Sequence, residues 1–244
     1  MHQIQNMEIF EIFLHPEAWI ALLSLTLLEI VLGVDNILFI SILTAKLPAH
    51  QQSKARRTGL AAALFFRIIF LLGISYIIQS THPVVEFWKL SLSGRDLILL
   101  FGGLFLLYKS TKEIHEKVIH AGNPEKQVKS PVNVSFSAVI FQIVLLDIVF
   151  SFDSILTAIG LTEHIIIMII AVVISMLIMM LFINVIGDFI IKRPTLQVLG
   201  LSFLVMIGTL LIAEAFHYEI PKGYIYFAFF YSFIIELINL RIRK

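Results

Sequence analysis

The chain has 244 residues, of which 59% are hydrophobic and 14% charged, with a mean hydropathy of +0.94. A soluble domain carries about 45–50% apolar and about 25% charged residues, so this composition excludes a soluble enzyme or signalling domain, and it excludes intrinsic disorder too. The net charge of +1 offers no basic field for nucleic acid, and the absence of cysteine removes disulfides, thiolate metal sites and cysteine nucleophiles.

The first element is an entry segment. Residues 1–18 hold Glu8, Glu11 and Glu17 and neither Lys nor Arg, so the basic n-region of a signal peptide is missing. Ile9–Trp19, interrupted by Pro16, reads as an interfacial stretch, and the first span is expected to act as an uncleaved insertion signal. A bilayer core of about 30 Å needs roughly 20 mostly apolar residues as a helix. Such runs predict spans at 19–43, 60–79, 94–109, 136–159, 165–190, 197–216 and 224–240. The prolines at 16, 48, 83, 124, 131, 194 and 221 all fall between these runs or at their edges, as helix-breaking residues should.

The third run is short, its strictly apolar part being Leu97–Tyr108, and the loop charges argue for keeping it. Lys and Arg accumulate on the cytoplasmic side. Seven spans with the N-terminus outside put fourteen of the eighteen Lys and Arg residues inside, against Lys89, Arg95 and Lys222 outside, with Arg67 within the second span. The expected topology is therefore N-terminus outside and C-terminus cytoplasmic.

An internal repeat organises these spans. Residues 28–38 read LEIVLGVDNIL and residues 146–156 read LDIVFSFDSIL, at an offset of 118. Three spans separate the copies, so the two lie in opposite orientations, the arrangement of many secondary transporters. The expected fold is an all-α polytopic membrane protein, one transmembrane domain over 1–244. It divides into a first repeat at 19–109, a cytoplasmic linker at 110–135, a second repeat at 136–216, and an extra helix and tail at 217–244. A cytoplasmic helix extension is expected to open the middle loop, and the seventh span, without a counterpart, reads as an appendage.

The repeat carries the chemistry. Glu29, Asp35, Asp147 and Asp153 all lie within apolar spans. Each bare carboxylate at the bilayer centre costs about 2.5–3.5 kcal/mol on insertion scales, so four cost roughly 10–14 kcal/mol. They must be hydrated, protonated, paired or bound to a cation. Arg67 is the sole basic residue deep in a predicted span, and one arginine cannot neutralise all four. It reads equally as a structural counter-ion, an interface snorkeller or a functional partner. At about 100° per residue, Glu29, Gly33 and Asn36 share one helical stripe and Asp147, Ser151 and Ser154 share the other. Asp35 and Asp153 lie off those stripes, so a local helix break at Gly33, with Ser151 in the matching place, would bring both carboxylates of a span to one point. With Asn36 and Ser154 the donors are all oxygen, which suits Mg2+, Ca2+ or Mn2+ better than copper or zinc. Polar residues in spans also serve as interhelical glue, but two inverted copies of one pattern argue for a site. Glu214 and Glu236, near span ends, read as solvated. Asn184 and Asp188 mark the cytoplasmic end of the fifth span, and Gly102-Gly103 reads as a close-packing point.

The motifs LEIVLGVDNILFISIL and LLDIVFSFDSIL, with FGGLFLLYKSTKEIHE (101–116) and FHYEIPKGYIYFAFFYSFIIELINL (216–240), resemble the TerC family of integral membrane proteins, across most of the chain. The resemblance implies a protein of the bacterial plasma membrane that exports divalent metal ions, with Mn2+ the first expectation and Ca2+ left open because the ligand types fit both. It implies that Glu29, Asp35, Asn36, Asp147, Asp153 and Ser154 are the metal-pathway positions. No resident cofactor and no enzymatic activity are expected, since Walker A, GxSxG and HExxH signatures are missing. The expected partners are the divalent ion and the lipid bilayer, not nucleic acid, with a homodimer as a candidate assembly. The competing reading is a non-transporting membrane partner for metal delivery or for stress-response complexes of the tellurite type.

Overall fold

The computed structural model describes residues 13–77, 85–87, 90–121, 134–162, 164–218 and 220–242, with the side chains at 35, 74–77, 85–92, 120–121, 152–153 and 156–157 outside the description. Seven helices cover most of these residues: α1 Pro16–Thr44, α2 Ala49–Ile77, α3 Gly94–Ala121, α4 Phe136–Leu161, α5 Ile165–Ile191, α6 Pro194–Ala215 and α7 Lys222–Ile242. The chain is a polytopic membrane protein of the all-α class, helical throughout its described residues apart from one short hairpin and the connections. Four helices, α1, α5, α6 and α7, are long and apolar enough to cross a bilayer by length and composition alone, and Phe136–Ser151 of α4 is a shorter apolar stretch.

Local chemistry sets the boundaries. Pro16 and Pro194 occupy the first turns of α1 and α6, where a missing N–H leaves no hydrogen bond unmade. Glu17 adds a negative charge to the positive end of the α1 dipole. Two departures from expectation stand out. The second helix begins at Ala49, not near 60, so the basic residues Arg56 and Arg57 lie on helix and not in a loop. Between α2 and α3 a small antiparallel hairpin joins β1 (Val85–Phe87) to β2 (Leu90–Leu92), pairing Val85 with Leu92 and Phe87 with Leu90. Strands of three residues are too short to register as an apolar pattern. The helix extension expected after the third span is present, since α3 runs to Ala121.

The principal pairings are α1 with α5, α2 with α4, and α3 with α6, supplemented by α1 with α4 and α2 with α5. Exchanging α1 with α4, α2 with α5 and α3 with α6 interchanges the α1–α5 and α2–α4 pairings and returns each of the other three to itself, so the set is preserved. Glycines permit the closest crossings. A Cβ built on Gly103 of α3 would stand 2.7 Å from the Gly208 carbonyl oxygen of α6, and one on Gly208 would stand 3.0 Å from that of Gly103. The close packing expected at Gly102-Gly103 is found there. Helix α7 lies on α6 through Phe229, whose ring centroid is 4.3 Å from that of Phe203, and Phe229 is its one fully covered side chain among the described residues.

Candidate functional site

The stripe expected on each motif is the one that turns into the bundle. On α1, Glu29 and Asn36 are 2% and 6% exposed; on α4, Asp147, Ser151 and Ser154 are 4%, 0% and 4% exposed. The two stripes meet. Asn36 Nδ2 donates to Asp147 Oδ1 at 3.3 Å, and Ser151 Oγ donates to Asp147 Oδ2 at 3.1 Å. Ser154 Oγ donates to the Ser151 carbonyl at 3.3 Å.

The expected helix break is absent. Both α1 and α4 run through their motifs as continuous helix, so Gly33 is not a hinge. Its purpose is space, because a Cβ at Gly33 would fall 2.2 Å from Sδ of Met179 on α5. Asp35 and Asp153 occupy this same unbroken backbone, and their side chains lie outside the described residues.

Arg67 of α2 is the counter-ion of the pair. Its Nη1 donates to Glu29 Oε2 at 2.6 Å and its Nη2 to Asp147 Oδ1 at 2.7 Å, with Nε 3.4 Å from Asp147 Oδ2. The guanidinium thus reaches Asp147 through two N–H groups and Glu29 through a third, a geometry that lysine cannot reproduce. At 3% exposure Arg67 is no snorkeller. Taking three ionisable groups out of water is costly, and the hydrogen bonds among them offset part of that cost. Among the described residues, no group of three His, Asp or Glu side chains is gathered closely enough to hold a metal ion.

A cavity of about 30 Å3 opens beside this cluster, its lining including Glu29, Asn36, Arg67 and Ser154 together with Ile207, Leu210 and Leu211 of α6. It is large enough for a water-sized guest. Lys222 and Tyr226 of α7 complete its wall. The seventh helix is therefore part of the site's enclosure and more than an appendage.

Sequence position alone misplaced two charged residues. Glu214, expected to be solvated, has a side chain 13% exposed and pairs with Lys222 at 3.1 Å. Arg56, expected in a loop, is 1% exposed on α2 and donates to Asp188 Oδ1 at 2.8 Å and to the Asn184 carbonyl at 3.1 Å, both on α5. Its position four residues before Leu60 on a helical run was the available signal. At the same end of the bundle Lys46 pairs with Glu113, tying the end of α1 to the extension of α3.

The family described as "Integral membrane protein TerC family" matches residues 14–244. The chain is 48% identical over 235 residues to a UPF0053 protein of Haemophilus influenzae, covering 96% of this chain and 98% of the relative. It is 49% identical over 225 residues to the UPF0053 inner membrane protein YgdQ of Escherichia coli K12, covering 92% and 93%. The longer UPF0053 inner membrane protein YoaE of the same organism is 46% identical over 234 residues, which span 96% of this chain but 45% of that one. No solved structure matches.

Proposed function

The chain belongs to the integral membrane protein TerC family, and from that premise we propose that it is a secondary transporter that exports divalent metal ions, Mn2+ first, across the bacterial inner membrane. The observation that carries the reading is the meeting of the two motifs. Glu29 and Asp147, at corresponding places in two sequence copies 118 residues apart, bind one guanidinium beside one cavity. Inverted repeats that meet at a polar midplane site are the architecture of alternating access. The exchange symmetry of the helix pairings supports the same view.

In this reading the metal pathway comprises Glu29, Asp35, Asn36, Asp147, Asp153 and Ser154. Their oxygen donors favour hard cations. Arg67 occupies Glu29 and Asp147 while no cation does, so the acidic pair is never left bare in the bilayer. Carboxylates can trade a proton for a metal, which makes proton antiport the natural coupling. Inner-membrane residence follows the names of the Escherichia coli relatives, and the seven-span orientation has the N-terminus outside.

A second reading has Arg67 in its favour: the triad is interhelical glue joining α1, α2 and α4, with no cation involved. Purified protein in proteoliposomes separates the two. Transport predicts saturable Mn2+ flux over empty liposomes, with Ca2+ next and Cu+ not carried. Glue predicts no flux of any divalent ion by correctly folded protein.

A further inference from the structure

Two cavities flank one ion pair at the α6–α7 end of the bundle. The inner is the cavity of about 30 Å3 beside Glu29 and Arg67, walled by Leu211, Lys222 and Tyr226. The outer is a wide vestibule of about 360 Å3, lined by Arg95, Glu214, His217, Tyr218, Ile220 and Pro221. Glu214 belongs to the outer space and Lys222 to the inner, and their side chains join at 3.1 Å. Leu211 of the inner lining precedes Glu214 of the outer one by three residues on α6, about 4.5 Å of helical rise.

We propose that the Glu214–Lys222 ion pair is the latch that closes the carboxylate cavity against this vestibule, and that a divalent cation passes by displacing the Lys222 ammonium from Glu214. The inference rests on the cation pathway proposed above, whose orientation makes this the extracytoplasmic end. The chemistry is a simple exchange, since a carboxylate that holds an ammonium can hold a metal cation in its place. Lys222 and Glu214 are 26% and 13% exposed, sheltered enough for the pair to exceed an ordinary surface contact and open enough for ions to compete. The helix that carries Lys222 is lightly held: among its described residues α7 buries only Phe229, against Phe203 of α6, with Ile225, Tyr226 and Phe233 half-buried on the core. Tyr226, one turn beyond Lys222, rests against Phe203 at a centroid distance of 5.9 Å, so Lys222 and Tyr226 would leave the cavity mouth together.

The chain's lack of cysteine makes the test direct. Leu211→Cys is placed in the inner cavity, and its reaction with a membrane-impermeant cationic thiosulfonate is timed in proteoliposomes. Tyr218→Cys, in the vestibule, serves as the control for reagent access and folding. With the latch intact Leu211→Cys should react slowly. Glu214→Gln and Lys222→Met should each speed it by about tenfold or more, the factor that corresponds to roughly 1.4 kcal/mol less closure free energy, while Tyr218→Cys is unchanged. The charge exchange Glu214→Lys with Lys222→Glu should restore slow labelling. Unchanged rates in both single variants, or a charge exchange that labels as fast as they do, would overturn the latch. Labelling needs no metal, so Mn2+ flux in the same liposomes is scored separately. Latch-dependent labelling without flux would sink the transport reading alone, and flux with latch-independent labelling would sink the latch alone.

Discussion

Asn36 of the first motif donates a hydrogen bond to Asp147 of the second, across 111 residues of sequence and 3.3 Å of space. The offset of 118 makes Ser154 the counterpart of Asn36 and Glu29 the counterpart of Asp147. Ser154 and Glu29 line the same cavity. Each motif thus presents its polar residue beside the other motif's acidic one, which is what an inverted pair meeting at a shared point would do. Groups that orient a metal-binding carboxylate are worth about 10–100-fold in affinity or activity. Asn36→Ala should therefore lower Mn2+ flux by about that factor with a normal yield of folded protein. Flux at the original level would show that Asn36 only fills space.

Arg67 carries the electrostatic weight of the cluster. Removing one partner of a buried ion pair costs about 3–5 kcal/mol, because the other is left uncompensated. Arg67→Met should lower the melting temperature of the detergent-solubilised protein strongly, and Arg67→Lys should do so less. Adding Glu29→Gln to Arg67→Met should recover part of the loss. Wild-type melting of Arg67→Met would mean that the carboxylates do not depend on the guanidinium.

Gly33 offers a test of packing. The Cβ of Gly33→Ala would collide with the Met179 thioether, and overpacking of this kind costs about 1–3 kcal/mol. Methionine is flexible, so the cost belongs at the low end of that range. Gly33→Ala should destabilise, and Met179→Ala in the same chain should relieve part of the effect. If the second change brings no relief, the role of Gly33 is not the space it leaves for α5.

These cases show what was legible in the sequence and why. Apolar run length and the prolines located the helices, because insertion energetics act on whole segments. The buried stripes on α1 and α4 followed from spacing alone. The break at Gly33 did not follow, since a glycine that allows a bend is the same residue as one that admits a neighbour. Met179 decides between them only in three dimensions. Arg56 and Glu214 were misread for a related reason. Charges near span ends default to solvent, and only the partner helices carrying Asp188 and Lys222 bring them under cover.

Orientation has its own test. His15, one residue before α1, and Lys112, on the extension of α3, are both exposed. By the positive-inside count, His15→Cys should react with an impermeant thiol reagent from outside intact cells, and Lys112→Cys only after the membrane is opened. Labelling of both from one side would contradict the seven-span arrangement and, with it, the inverted repeat.

The most direct test of the central claim is Mn2+ flux through proteoliposomes containing Glu29→Gln, Asp147→Asn, Asp35→Asn or Asp153→Asn, each compared with the unaltered protein at equal folded amount. These amides keep size and most hydrogen bonding while removing a charge, and an amide is easier to insert than a bare carboxylate. The account predicts that each variant inserts normally and loses most or all flux. It also predicts that Glu29→Gln and Asp147→Asn, which correspond across the repeat, fail alike. Full flux through all four variants would contradict it and leave the acidic residues as glue.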